Sequence, residues 1–193
     1  MKNWYDKLDA LPAIPREKHG GYICRAATAL GIKPRVIVEI GVFTGRTSKR
    51  LRKGFPEAQL ILIDPWQYIP GLKGYIYTQI NTQPLWDGVY KKLCNRFAKS
   101  ANTVVLRCSS LRAAKIVQDN IDIVFIDGAH DYQNVKADIK AWLPKLRRPG
   151  LICGHDYRGK GGFKGVRLAV NDCFDRIFRG PRNTWLRYVE TGG

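Results

Sequence analysis

The sequence VIVEIGVFTGRTS at residues 36–48 contains a short apolar strand, a glycine turn and the start of a helix. Its first five residues are β-branched and apolar except for Glu39, and Pro34 precedes them, which is typical of a strand buried on both faces. Gly41 and Gly45 then permit a tight turn and the close approach of a ligand. A strand that passes through such a turn into a helix favours a nucleotide-binding α/β fold.

Four more segments have the same apolar, strand-like character, and they lie at residues 60–63, 103–106, 121–126 and 151–153. Segments of helical period alternate with them. The clearest runs from Asp131 to Leu146, where apolar residues recur at three- and four-residue steps. We therefore predict an α/β fold with a Rossmann-like, mainly parallel sheet and helices on both faces, because parallel neighbours need crossover connections. Ligands of such sheets bind beyond the carboxyl ends of the strands.

The length of 193 residues favours a single domain over the whole chain, 1–193, because two domains would be cramped. Residues 1–33 are expected to form a helical lead-in. Residues 66–84 contain several aromatic residues, glycines and prolines without a sustained period. We interpret 66–84 as a lid or an acceptor-binding loop, with an ordinary surface excursion as the alternative.

The composition is strongly basic, with 33 Lys and Arg against 16 Asp and Glu and a formal net charge of +17. This charge favours an anionic partner, such as nucleic acid, a phosphorylated metabolite or an acidic surface. A solvated basic surface without such a partner is the alternative, because Lys and Arg are scattered along the chain. The oligomeric state stays open.

The sequence has no apolar stretch of the roughly 20 residues that a membrane helix needs, and its amino terminus lacks the apolar core of a signal peptide. We therefore expect a soluble, cytoplasmic protein without membrane association. The five cysteines are odd in number and widely spread, so we expect reduced core thiols and no disulfide framework.

A carboxylate follows the second predicted strand at Asp64, about 20 residues after Gly45, where a nucleotide-binding fold places an acid that accepts hydrogen bonds from ribose hydroxyls. The Gly-x-x-x-Gly spacing after Glu39 differs from the Gly-x-Gly-x-x-Gly of dinucleotide folds. The sequence also lacks a phosphate-binding Gly-Lys-Ser or Gly-Lys-Thr. These features favour a ribose-bearing ligand without a pyrophosphate.

Residues 38–48 and 62–64 resemble the first two motifs of class I S-adenosylmethionine-dependent methyltransferases. Residues 126–132, and later 154–157, resemble a family that includes macrolide-sugar O-methyltransferases of the macrocin and mycinamicin type. The likeness extends over roughly residues 35–188. It implies that S-adenosylmethionine is the cofactor.

The resemblance also implies cofactor-binding positions. Gly41 and Gly45 would line the methionine part of the cofactor, Asp64 would hold its ribose, and Ser109 would lie by its adenine. The full implied set is Glu39, Gly41, Phe43, Gly45, Thr47, Ser48, Asp64, Trp66, Ser109, Asp127 and His130. Family members end with two further strands, whereas only 184–189 follows the helix that we predict over 163–178. We therefore expect a shortened carboxyl-terminal strand region.

Methyl transfer from a sulfonium to a hydroxyl is a direct displacement, so an enzyme must align the acceptor oxygen and remove its proton. His130 and His155 follow the fourth and fifth predicted strands, beside Asp127 and Asp156. The resemblance implies that His130 is the catalytic base, assisted by Asp127. The structural alternatives are that His130 is a residue at the start of a helix that bonds to the backbone, and that Asp127 caps this helix.

The same resemblance implies a divalent cation held by Asp127, His155 and Asp156. His155 stands where the macrolide-sugar enzymes have a carboxylate. An imidazole ligand favours manganese, iron or zinc over magnesium, or leaves the site without a metal.

These observations favour O-methylation of a small hydroxylated or glycosidic acceptor. A nucleic-acid methyltransferase is an alternative because of the net charge, although no Asn-Pro-Pro-Tyr or Asp-Pro-Pro-Tyr run follows the fourth strand. A third alternative is a non-catalytic protein that binds S-adenosylmethionine for recognition.

Overall fold

A computed structural model describes residues 3–71, 78–158 and 164–190. Its strands are β1 Val36–Ile40, β2 Gln59–Asp64, β3 Thr103–Arg107, β4 Ile121–Ile126, β5 Leu146–Gly154, β6 Phe178–Arg179 and β7 Trp185–Val189. They form a seven-stranded sheet in the order β3-β2-β1-β4-β5-β7-β6. The first five strands are parallel, whereas β7 pairs antiparallel with both β5 and β6. The predicted α/β fold with a mainly parallel sheet is confirmed.

The α-helices with described bounds are α1 Trp4–Asp9, α2 His19–Ala29, α3 Arg46–Gly54, α4 Gln83–Phe97, α5 Ser110–Ile116, α6 Tyr132–Trp142 and α7 Lys164–Cys173. Side chains of α1 to α4 pack on one face of the sheet, against alternate residues such as Ile37 and Phe125. Side chains of α5 to α7 pack on the other face, against Val38 and Val124. The period-two alternation of the strands thus produces two apolar cores, as expected for a sheet covered on both sides.

Two predicted helix ends are wrong. The helix expected over 131–146 begins after its cap at Asp131 and ends at Trp142, and Leu146 already belongs to β5. Pro144 lies in a short 3-10 turn between them, because proline lacks the N–H that would continue an α-helix. The helix expected over 163–178 ends at Cys173, and its first residue lies outside the described residues.

The carboxyl-terminal strand region is short, as predicted, but it contains a strand before β7 that the sequence did not indicate. Phe178, which we assigned to a helix, belongs to β6, and β6 has only two residues. It pairs with β7 through Phe178 and Leu186. A two-residue strand leaves too little sequence pattern to be recognised.

Hydrogen bonds join the two ends of the segment 66–84. Gln83 and Pro84 belong to the first turn of α4, where proline is favoured, so the loop ends at Thr82. The side chain of Gln83 accepts a hydrogen bond from the Tyr68 N–H at 2.9 Å and donates one to the Trp66 carbonyl at 3.1 Å. The part at 72–77 lies outside the described residues, so the lid interpretation stays a prediction.

All five cysteines are free thiols. Only Cys153 is buried and the others are half-buried, so the expectation of core positions holds for Cys153 alone. Among the described helices, none combines the length and the apolar character that crossing a membrane requires.

Candidate active site

The turn after β1 lies where the ends of three strands meet. Gly41 adopts a positive φ of 81°, and its N–H donates to the Ile63 carbonyl of β2 at 2.9 Å. The Asp127 N–H, just after β4, donates to the Ile40 carbonyl at 2.8 Å. A Cβ atom on Gly41 would overlap the Asp127 carbonyl oxygen. Glycine is therefore required here both by the backbone conformation and by the neighbouring chain.

The Asp64 carboxylate fastens this turn to the end of β2. Its two oxygens accept hydrogen bonds from the Phe43 N–H at 2.9 Å and from the Trp66 N–H at 2.7 Å. Burial raises the pKa of Asp64, while these backbone hydrogen bonds oppose the rise. Each carboxylate oxygen can accept a further hydrogen bond, so Asp64 could still hold ribose hydroxyls.

Several predicted cofactor contacts face the interior. The Trp66 side chain is 0% exposed, and its indole N–H donates to the Phe43 carbonyl at 2.9 Å. Thr47 and Ser48 are buried in α3, and a Cβ on Gly45 would overlap Leu93 of α4. The side chains of Thr47, Ser48 and Trp66 support the turn from its buried side, and the absence of a side chain at Gly45 leaves room for Leu93. Their approach to a ligand would be through the backbone.

Glu39 is the buried acid beneath the turn. It is 1% exposed, and its Oε2 atom has no hydrogen-bond partner among the described residues. Burial raises its pKa to about 8, the nearby Ser48 hydroxyl opposes this rise, and the charges of Asp127 and Asp64 add to it. S-adenosylmethionine carries an ammonium group, and a cation at this position would supply the missing partner. The residues around the turn therefore fit this cofactor.

A cleft of about 540 Å³ opens beside the ends of β2 and β3. Ser109 lies on its wall and also caps α5, accepting a hydrogen bond from the Arg112 N–H. Arg107 also lines the cleft, pairs with Asp87 and donates to the Trp66 carbonyl at 3.0 Å. The predicted position of Ser109 near an adenine is compatible with this location.

Four ionisable side chains meet beyond the ends of β4 and β5. Nε2 of His130 lies 3.0 Å from Oδ2 of Asp156 and 4.0 Å from Oδ1 of Asp127. Nδ1 of His155 lies 3.2 Å from the same Asp156 oxygen and 3.6 Å from the same Asp127 oxygen. The structure thus brings together all four residues of the predicted catalytic and metal sets. We call these four residues the His-Asp cluster.

The pKa values of the two carboxylates in the His-Asp cluster shift in opposite directions. Burial raises the pKa of Asp127 to about 7, and the charge of Asp156 adds to this effect against the histidines. Burial also acts on Asp156, but hydrogen bonds from His130 and His155 outweigh it and hold its pKa far below the usual range. Burial opposes charge on His155, yet its hydrogen bond to Asp156 raises its pKa. Asp156 is therefore the more firmly ionised carboxylate.

The His-Asp cluster also fits a divalent cation. One ligand atom each from Asp127, His130 and Asp156 lies within 4.8 Å of the other two. Mixed nitrogen and oxygen donors suit manganese, iron or zinc better than magnesium. His155 offers a further nitrogen to the same two carboxylates.

Two residues near the cluster are absent from the predicted site. His19, at the start of α2, has its ring 4.5 Å from that of His155 and stacks on Phe125. Burial and the charges of His155 and Arg50 lower the pKa of His19 to about 4. Arg158 places Nε 3.4 Å from Oδ1 of Asp156. The position of α2 depends on tertiary packing, so no sequence spacing indicates His19.

Comparison with known proteins identifies this arrangement. A family model described as a methyltransferase domain matches residues 38–157, which include the glycine turn, Asp64 and the whole His-Asp cluster. The chain belongs to this methyltransferase family. Its fold is that of class I S-adenosylmethionine-dependent methyltransferases, as the sequence motifs predicted.

Solved structures agree with this methyltransferase in fold. Cofactor-bound Rv0187 from MTB is 19% identical, with a TM-score of 0.64 over 97% of this chain and 88% of that chain. The O-methyltransferase TomG from Streptomyces achromogenes, solved with SAM, is 15% identical, with a TM-score of 0.63 over 99% of this chain and 91% of that chain. At these identities the likeness shows the fold alone.

A sequence relative is the uncharacterized protein y4gI from Sinorhizobium fredii, which is 26% identical over 132 residues. The match covers 65% of this methyltransferase and 13% of that protein. The methyltransferase therefore spans only a small part of this relative's length.

The position of Asp64 leads to a binding prediction. Asp64→Ala should weaken S-adenosylmethionine binding by about 1.5–3 kcal/mol, because a charged hydrogen-bond acceptor is lost. Calorimetric titration measures this change. Asp119→Ala is the matched control, since Asp119 is 69% exposed and precedes β4 at the opposite edge of the sheet. Equal affinities of folded Asp64→Ala and Asp119→Ala proteins would remove Asp64 from the cofactor site.

Proposed function

We propose that this methyltransferase transfers the methyl group of S-adenosylmethionine to the hydroxyl oxygen of a small hydroxylated or glycosidic acceptor, with His130 as the general base. The observation that carries the proposal is the position of the His-Asp cluster beside the glycine turn. Asp127 contributes its side chain to the cluster and its backbone to the contact with Gly41. Asp127 thus joins the His-Asp cluster to the glycine turn at residues 41–45, which we call the cofactor turn.

His130 is better suited to the base role than His155. Its side chain is 37% exposed, against 16% for His155, so an acceptor can reach it more easily. Asp156 and Asp127 both lie near its Nε2 atom and would stabilise the imidazolium that forms when His130 takes the hydroxyl proton. Proton removal and methyl transfer would then be aligned in one cleft.

A divalent cation would be held by Asp127, Asp156 and His155, and when bound it would lower the pKa of an acceptor hydroxyl. The two carboxylates already converge on shared nitrogen neighbours, so cation binding requires little rearrangement. His155, less exposed than His130, would contribute its Nδ1 atom to the cation. His130 keeps its exposed position toward the acceptor.

The function is tested with S-adenosylmethionine labelled in its methyl group and a panel of phenols, catechols, glycosides and short nucleic acids. We expect label in a small hydroxylated compound, attached through oxygen as identified by mass spectrometry and NMR. Label only in nucleic acid would favour the alternative methyltransferase class. Tight cofactor binding without turnover on any compound would favour the non-catalytic alternative.

The cation is tested separately with Mn²⁺. Titration of the full chain with Mn²⁺ should show binding that Asp156→Asn weakens by about 10-fold or more, because even outer partners of a metal ligand matter at that level. Chelator treatment should lower turnover with a labelled acceptor. Binding that is unchanged in Asp156→Asn, with turnover that survives the chelator, would contradict a cation in the His-Asp cluster.

A further inference from the structure

The positive charge is concentrated near the cofactor turn. Residues 18–56 contain nine Lys or Arg and a single acid, the buried Glu39. The nine are Lys18, Arg25, Lys33, Arg35, Arg46, Lys49, Arg50, Arg52 and Lys53. Arg25 is neutralised by Glu17, and Arg52 donates to backbone carbonyls such as that of Ala58. The remaining charge is mostly on α3.

Four cations of α3 lie on one face of the helix. Arg46, Lys49, Arg50 and Lys53 are exposed and have the spacing i, i+3, i+4 and i+7, so they form a row along the helix. The opposite face carries the buried residues of α3, which are Thr47, Ser48 and Leu51. We call the exposed row the α3 stripe.

The α3 stripe does not help the helix to fold. Arg46 with Arg50, and Lys49 with Lys53, are like-charge pairs at i,i+4, and such pairs destabilise a helix. Arg46 also lies at the amino end, where a positive charge opposes the helix dipole, whereas Lys53 in the last turn complements it. Within the described ranges, none of the four cations is within ion-pair distance of a carboxylate. The stripe is thus an uncompensated row of charge.

Neighbouring helices extend the stripe on both sides. Arg96 of α4 donates to the Thr44 carbonyl, immediately before α3. On the other side, α2 packs closely on α3, since a Cβ on Gly20 would lie 3.0 Å from Cβ of Arg50. Lys18, at the N-cap position of α2, is exposed next to this contact. The cationic surface therefore spans three helices beside the cofactor turn.

We propose that the α3 stripe binds the phosphate backbone of a nucleic acid, independently of the methyl acceptor. Four cations over about 10 Å of helix compare with roughly three phosphates over the same length of one DNA strand. A membrane surface is the less suitable partner, because membrane-binding helices also need exposed apolar side chains. The exposed large apolar residues in the described part of the chain lie outside α3. Backbone contacts of this kind carry no base specificity.

The test is binding of the full chain to a fluorescent DNA duplex and to a single-stranded RNA, followed by anisotropy. With four phosphate contacts, affinity should fall roughly 100-fold between about 50 and 200 mM salt. Lys49→Glu with Lys53→Glu should weaken binding at low salt by at least about 10-fold and reduce the fall with salt to about 10-fold, because two contacts are lost. A glutamate at position 49 or 53 follows an arginine, Arg46 or Arg50, by three residues. These two opposite-charge pairs offset the like-charge pair that remains between positions 49 and 53, so the thermal midpoint should change little.

The matched control is Lys115→Glu with Lys140→Glu, which makes the same change in net charge on α5 and α6, across the sheet. It should retain most of the affinity and the full salt dependence. Equal losses in the two double variants would show that only net charge matters and would overturn the α3 assignment. Absence of binding at low salt, or binding to phosphatidylserine vesicles without binding to nucleic acid, would overturn it as well.

Discussion

His130→Ala is expected to lower turnover by about 10²–10⁴-fold, which is the usual contribution of a general base. The imidazole lies near two carboxylates and is the more exposed histidine of the His-Asp cluster, so its loss removes the base that we place against the acceptor hydroxyl. Affinity for S-adenosylmethionine should stay nearly constant, because the turn after β1 does not depend on this side chain. Single-turnover rates with a labelled acceptor and calorimetric cofactor titrations measure the two quantities.

Gln133→Ala is the control for this experiment, since Gln133 is exposed and lies in the same segment at the start of α6. It should leave both turnover and cofactor affinity unchanged. Full turnover in His130→Ala would contradict the proposed mechanism. Turnover that is lost together with cofactor affinity would instead assign His130 to binding.

Gly41→Ala is expected to cause the largest loss of stability among single substitutions in the turn. An alanine at a φ of 81° costs about 1–2 kcal/mol, and overlap of its Cβ with the Asp127 carbonyl adds roughly 1–3 kcal/mol. The free energy of unfolding should therefore fall by about 2–5 kcal/mol. Cofactor affinity should also fall, because relief of the overlap separates the ends of β1 and β4. Urea unfolding and calorimetry measure the two effects.

Gly31→Ala separates the two causes. Gly31 has a nearly identical φ of 76°, but a Cβ there would meet no atom within 4 Å. This variant should lose only the conformational part, about 1–2 kcal/mol, and should bind S-adenosylmethionine normally. If Gly31→Ala and Gly41→Ala lost equal stability, the close approach of β4 to the turn would have no energetic importance.

The sequence predicts the central strands well because they combine strong apolar runs with clear turn residues. β1 and β4 have the bounds that were predicted, Val36–Ile40 and Ile121–Ile126. β5 begins earlier than expected, since Leu146 fits a helical period as well as a strand. β6 has two residues, which is too short for any periodicity. The local sequence pattern thus predicts the bounds of strands that are buried throughout. It does not predict bounds that depend on pairing with a neighbouring strand.

The site shows the same division. The convergence of Asp127, His130, His155 and Asp156 follows from parallel strand order, because neighbouring strands end at one edge. The inward packing of Trp66 is different in origin. It depends on hydrogen bonds to Phe43 and Asp64, which no periodicity encodes. His19 reaches the cluster through the docking of α2, and such docking is decided by the assembled core.

The pairing of β1 with β4 joins segments that are far apart in the chain, with Ile37 opposite Ile123. Parallel pairings between distant segments close large loops and form slowly during folding. A partly folded chain without β4 would contain every glycine of the turn and yet have only half of a ligand site. Cofactor binding is therefore linked to the complete native state. Bound S-adenosylmethionine should raise the free energy of global unfolding, because the unfolded chain has no site for it.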